Sequence, residues 1–202
     1  MSDTPNYFTQ FDLPLHLHID TPALEKFFYA HSRRLHPDRF AAKPPAEQEA
    51  ALRASSDLND AYRTLRDPIA RTEYLLSLEG IQLEEQSRAA TDAAKASGTA
   101  KKQIAPPDLL EEAFELNMQL EEMRMGDDDP DTRAALEEAR TKFTSMLNDL
   151  QTQLEALWSQ WDAAVDANDS AAKDKAKDAM VALLNRRSYV RNLVRDVNSA
   201  LE

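Results

Sequence analysis

The chain has no cysteine at all, so disulfides, cysteine-ligated zinc and thiol catalysis are excluded outright. Glycine is nearly as scarce, with 3 residues, and no Gly-rich phosphate loop is present. Cationic side chains are in deficit, 24 Lys and Arg against 36 Asp and Glu, a net charge of -12. That balance argues against a general nucleic-acid binder, which needs clustered Lys and Arg on phosphates, and it repels anionic membranes. There is no signal-peptide core, no twin-arginine motif and no apolar run long enough to cross a bilayer, so the expectation is a soluble cytoplasmic protein. Histidines number 4, and His16 and His18 lie too close together in an irregular segment to suggest more than a solvated pair. No metal site and no cofactor is expected.

What remains is a helix-forming composition. Of 202 residues, 42% are hydrophobic and 30% charged, rich in Ala, Leu, Glu, Lys and Arg. Tyr7-Phe8 and Phe11 open a short apolar stretch that ends at Leu13-Pro14. Thr21-Pro22 signals a helix start, and Pro37 ends that helix near Leu35, because a residue before proline is pushed out of helical geometry. A further helix is predicted from Ala46 to about Leu65, and another from Ile69 to Leu78 beyond the Asp67-Pro68 break. Residues 84–103 have no sustained apolar stripe and read as a linker. From Leu109 the rhythm returns in three long segments separated by Gly126-Asp127-Asp128-Asp129-Pro130 and by Asn168-Asp169. The acidic run reads as a solvated turn with capping value. The prediction is an all-α chain with an N-terminal helical unit over 1–80, a linker over 81–105 and a three-helix bundle over 106–202.

On a helical wheel Leu24, Phe28 and Leu35 share one face, with Phe27 and His31 at its edge. Lys26 and Arg33 fall on the opposite face, flanked by Arg34. Ala54, Leu58, Ala61, Tyr62 and Leu65 form a matching stripe on the next helix, so the two should pack antiparallel with a basic face outward. His36-Pro37-Asp38-Arg39 lies at the tip of that hairpin. A basic helix face is usually only a solvated face, and His36 with Asp38 could suggest acid–base chemistry. No nucleophile or oxyanion site accompanies them, so no catalytic residue is assigned.

The helix from Asp108 to Arg124 carries more apolar surface than one seam requires. Leu109, Ala113, Leu116, Leu120 and Met123 lie within about 80° of arc and suffice for packing. Leu110, Phe114 and Met118 make a second row, bordered by Glu111, Glu115 and Glu122. Either this row widens the core face, or it is an exposed apolar patch with an acidic rim, the mark of a protein-binding site.

Several stretches together resemble the HscB family, the J-type co-chaperones of iron–sulfur cluster assembly. They are Asn6-Tyr7-Phe8-Thr9-Gln10-Phe11-Asp12-Leu13-Pro14, His36-Pro37-Asp38-Arg39-Phe40, Leu58-Asn59-Asp60-Ala61-Tyr62-Arg63-Thr64-Leu65 and Arg71-Thr72-Glu73-Tyr74-Leu75-Leu76. The resemblance implies a J-domain followed by a three-helix bundle, without catalysis of its own. It implies that Lys26, Arg33, Arg34, His36, Pro37, Asp38 and Arg39 dock on a DnaK- or HscA-type chaperone and stimulate its ATPase. It also implies that Leu110, Phe114, Glu115, Met118 and Glu122 hold the cluster scaffold protein IscU. Glu111 departs from the family pattern, which commonly has a large apolar residue there. Two other readings stay open: a general J-protein for unfolded chains, and a structural coiled-coil protein whose hairpin only resembles a J-domain.

Overall fold

The computed structural model describes residues 6–81, 83, 106–124 and 130–202, and the regular structure among those residues is helical, with no strand. The predicted linker at 84–103 and the acidic run Asp127-Asp128-Asp129 lie outside the described residues. The helices are α1 (Tyr7–Gln10), α2 (Thr21–Leu35), α3 (Pro45–Arg66), α4 (Pro68–Leu78), α5 (Leu110–Arg124), α6 (Pro130–Asp166) and α7 (Ser170–Leu201). Short 3₁₀ helices cover Pro37–Phe40 and Pro107–Leu109. The chain divides into two compact units, one of residues 1–81 with 158–174, the other of residues 82–157 with 175–202.

Local chemistry sets the helix ends in the first unit. Asn6 and Thr9 close a capping box on α1, each side chain bonded to the other's backbone N–H at 3.1 and 2.9 Å. α2 begins one residue earlier than expected. Asp20, not Thr21, caps it, its carboxylate accepting from Ala23 N–H at 3.0 Å, with Pro22 in the first turn. Asp67 caps α4 in the same way through Ala70 N–H at 2.7 Å. α4 ends in a Schellman motif: Ile81 N–H reaches Leu76 O at 3.0 Å and Gly80 N–H reaches Ser77 O at 3.1 Å. Gly80 takes φ +81°, which a side chain would strain.

The core of this unit is partly aromatic. Phe28 of α2 stacks on Tyr62 of α3 at 4.1 Å, which sets the hairpin pairing read from the two stripes. Phe11 packs on Phe27, and Tyr7 stacks on Tyr74 at 4.3 Å while giving its backbone N–H to the Tyr74 hydroxyl. Trp158 and Trp161 from the end of α6 complete the unit, both buried. Trp158 Nε1–H donates to Thr72 Oγ1 and Trp161 Nε1–H to Leu15 O, each at 2.9 Å. Arg71, itself buried, lies over the Trp158 ring at 5.0 Å and donates to Leu65 O. Burial lowers the Arg71 pKa, while Asp67 and Asp162 oppose that shift. A guanidinium stays charged regardless.

His18 is exposed, as its local sequence suggests, and His16 is partly buried, but each lies against a carboxylate distant in the chain. His18 Nδ1 sits 2.8 Å from Asp162, and His16 Nε2 lies 3.0 Å from Asp166 without the alignment of a hydrogen bond. Asp162 also accepts the backbone N–H of Leu17 at 2.7 Å and of His18 at 3.0 Å. One carboxylate thus satisfies two backbone donors that no helix serves. Asp162→Ala is expected to destabilise this unit by about 2–3 kcal/mol, the scale for hydrogen bonds to a charged acceptor. Both of the chain's 2 tryptophans lie in this unit, so urea unfolding followed by their fluorescence reads the effect directly. An unchanged urea midpoint would contradict it.

The second unit packs α5 against the adjoining parts of α6 and α7 around Leu109, Ala113, Leu116, Leu120, Leu136, Phe143, Leu150, Val190, Leu193 and Val197. In α7 Val190, Leu193 and Val197 are buried in this core, and Leu183 and Val194 are partly buried against it, so the helix presents a broad stripe rather than a single row.

Candidate functional site

Chemistry-bearing side chains gather at two exposed surfaces, one in each unit. In the first unit, burying Leu24 in α2 turns Lys26, Arg33 and Arg34 to solvent. Pro37 then forces His36 out of helical geometry, with φ -59° and ψ 129°. The chain re-enters a single 3₁₀ turn at Pro37, closed by Arg39 N–H on His36 O at 3.0 Å. His36, Pro37, Asp38 and Arg39 are all exposed. His36 Nδ1 accepts the backbone N–H of Asp38 at 3.4 Å, and the Asp38 carboxylate, 89% exposed, projects to solvent.

Sequence reading did not include what holds the far side of this loop. Gln48, in the first turns of α3, donates from Nε2 to Lys43 O at 2.8 Å and to Ala41 O at 3.3 Å. Those carbonyls sit just past the 3₁₀ turn, so Gln48 fixes the loop's return into α3. Gln48→Glu cannot donate and is expected to lose these bonds and loosen the loop. Faster amide exchange at 39–43 would accompany that loss, and exchange identical to wild type would refute the role. A second omission is Tyr29, 53% exposed on the same face as Lys26 and Arg33. Its spacing of three and four from those residues is the signal that could have found it.

In the second unit the inner row of α5 is buried, and Leu110, Phe114 and Met118 are 55%, 66% and 51% exposed. Of the two readings of this row, exposure rather than a widened core is the outcome. Glu111, Glu115 and Glu122 are exposed along one flank. The first turn of α5 is anchored away from the row. Asp108 pairs with Arg186 at 2.7 Å, and Glu112 pairs with Lys142 at 3.4 Å. The Arg186 hydrogen bond holds the Asp108 carboxyl below its usual range, and backbone hydrogen bonding followed by Lys142 does the same for Glu112. The row is an apolar and accessible ridge with anionic flanking.

Neither surface is enclosed in the manner of a catalytic cleft. Among the described residues no group of three or more His, Asp or Glu side chains is placed to hold a metal ion, and no helix is long and apolar enough to cross a membrane.

No known family model matches the sequence. The fold, however, is similar over nearly its full length to HscB co-chaperones. Chaperone HscB from Vibrio cholerae superposes with a TM-score of 0.62 at 29% identity, covering 96% of this chain and 96% of that one. The human co-chaperone protein HscB gives a TM-score of 0.62 at 20% identity, covering 98% of this chain and 83% of that one, a likeness of fold. The all-α, HscB-like architecture expected from the sequence, a J-domain hairpin followed by C-terminal helices, is the one observed.

Proposed function

We propose that this chain, with its HscB-like fold, is an adaptor that recruits an iron–sulfur scaffold protein of the IscU type to a DnaK- or HscA-type chaperone in the cytoplasm. In this reading residues 1–80 act as the J-domain, 81–105 as the connecting linker and 106–202 as the scaffold-binding bundle. Lys26, Arg33 and Arg34 steer an acidic surface of the ATPase to α2. The loop His36-Pro37-Asp38-Arg39 then engages it, with Asp38 accepting from a cation of the chaperone. The chemistry of ATP hydrolysis belongs to the chaperone, and this chain supplies no acid, base or nucleophile to it.

Scaffold binding falls to Leu110, Phe114 and Met118, with Glu115 and Glu122 pairing to cations around an apolar pocket on the scaffold. Glu111, beside Leu110, adds charge where the family pattern has apolar surface, which favours a more basic pocket rim on this chain's own partner. The observation that carries the reading is the coexistence, in one HscB-like fold, of a basic exposed loop-and-helix face and an apolar exposed row with acidic flanking.

Calorimetric titration of the full chain against an IscU-type scaffold and against a denatured model protein tests the cargo assignment. Saturable binding at one scaffold per chain, with none to the denatured protein, is expected. The reverse preference would replace this reading with a general J-protein, and self-association through the exposed row would favour a structural coiled-coil protein.

A further inference from the structure

We propose that Tyr29 is the affinity anchor of the chaperone-docking face, inserting its ring into an acid-rimmed pocket of the ATPase partner. This rests on the chaperone-docking reading and adds to it a residue that charge alone does not identify. Lys26, Tyr29 and Arg33 follow one another at spacings of three and four, so they form a single exposed row along α2. Tyr29 is the large hydrophobic side chain of that helix left 53% exposed, and it stands between the two cations.

The ring does not stand alone. It rests against Phe28 at 5.5 Å and 56°, and Phe28 is stacked face to face on Tyr62 of α3 at 4.1 Å and 11°. A partner pressing on Tyr29 therefore presses on a packed aromatic stack tied to the hairpin. With only two side-chain torsions, the ring gives up little freedom when it is buried in a partner. Tyr and Arg are the residue types most often found carrying interface energy, at the centre of a contact sheltered by near-neutral neighbours.

The chemistry divides the work within the face. The Lys26 and Arg33 charges act at a distance, raise the encounter rate and are screened by salt. The Tyr29 ring acts only on contact, through buried area, and slows release. The occupant this fits is a protein surface with an apolar pocket rimmed by carboxylates. In a chain of net charge -12, the Lys26 and Arg33 cations on either side of Tyr29 are opposite in sign to the net charge, which favours an acidic partner at this row.

The test is the dependence of ATPase stimulation on the concentration of the full chain, with the DnaK- or HscA-type chaperone, at low and at high salt. Tyr29→Ala is expected to raise the half-saturating concentration by about thirtyfold, the effect of losing one hot-spot side chain. Maximal stimulation should be unchanged, and the defect should be equal at both salts. Tyr29→Gln, which keeps a strong helix former at the site, should show the same loss, and Tyr29→Phe should lie within about threefold of wild type. Lys26→Ala and Arg33→Ala should instead show defects that shrink as salt rises.

The proposal is overturned if Tyr29→Ala and Tyr29→Gln stay within about twofold of wild type, or if their defect vanishes at high salt as a charge effect would. A wild type that fails to stimulate in the same assay overturns the docking reading itself, so the two failures are distinguishable.

Discussion

Asp38→Asn is expected to abolish stimulation of the chaperone ATPase while leaving the protein folded and its affinity for the scaffold unchanged. The substitution keeps the shape of the side chain and removes only its charge. At 89% exposure the carboxylate makes no contribution to the core, so the urea midpoint should not move. Its effect lies at the interface. Losing one member of a charge pair desolvated between two proteins costs about 2–5 kcal/mol, a loss of about thirtyfold or more. Single-turnover ATP hydrolysis with the variant should match the rate of the chaperone alone. Stimulation within about threefold of wild type would mean that Asp38 meets no cation on the partner.

The second large effect is expected at the other surface. Phe114→Ala should weaken scaffold binding by about thirtyfold, and Leu110→Ala with Phe114→Ala should abolish it at micromolar concentrations. Neither change should lower stability, because Phe114 is 66% and Leu110 55% exposed. Leu116→Ala makes the contrast: Leu116 is buried one turn away in the seam, so it should cost about 2–5 kcal/mol of stability and spare the binding surface until the bundle unfolds. Calorimetry against the scaffold, with thermal melts of each variant, separates the two. A Phe114→Ala variant that binds as wild type, or one that unfolds, would contradict the assignment of this row.

Much of this architecture was legible because it is written locally. Pro37 stops α2 for a reason contained in the peptide bond itself, and the stripes on α2 and α3 set their own pairing. The split of α5 into a buried row through Leu109 and Leu116 and an exposed row through Leu110 and Phe114 follows from helix period alone. What sequence left open was which use the second row has, since a broad stripe and a stripe plus a patch share one pattern.

Non-local contacts were not legible at all. Asp162 receives the N–H groups of Leu17 and His18 across 145 and 144 residues, and Trp158 finds Thr72 across 86. Nothing periodic announces such pairs. Trp161 falls within the bundle expected over 106–202, yet it packs in the unit of residues 1–81 and 158–174. The carboxylates that meet His16 and His18 lie just as far away in the chain. Tyr29 differs: it carries no charge, and only its spacing of three and four from Lys26 and Arg33 places its ring on their face of α2.

Coupling of two partners by one chain is tested most directly by the chaperone's ATP turnover with the wild-type chain, with the scaffold alone and with both together. Modest stimulation by the chain alone is expected, with a larger effect in the presence of the scaffold than the separate effects combined. Asp38→Asn should remove both effects, and Leu110→Ala with Phe114→Ala should remove only the gain from the scaffold. Stimulation by the chain that is indifferent to the scaffold, or none with either, would contradict the coupling.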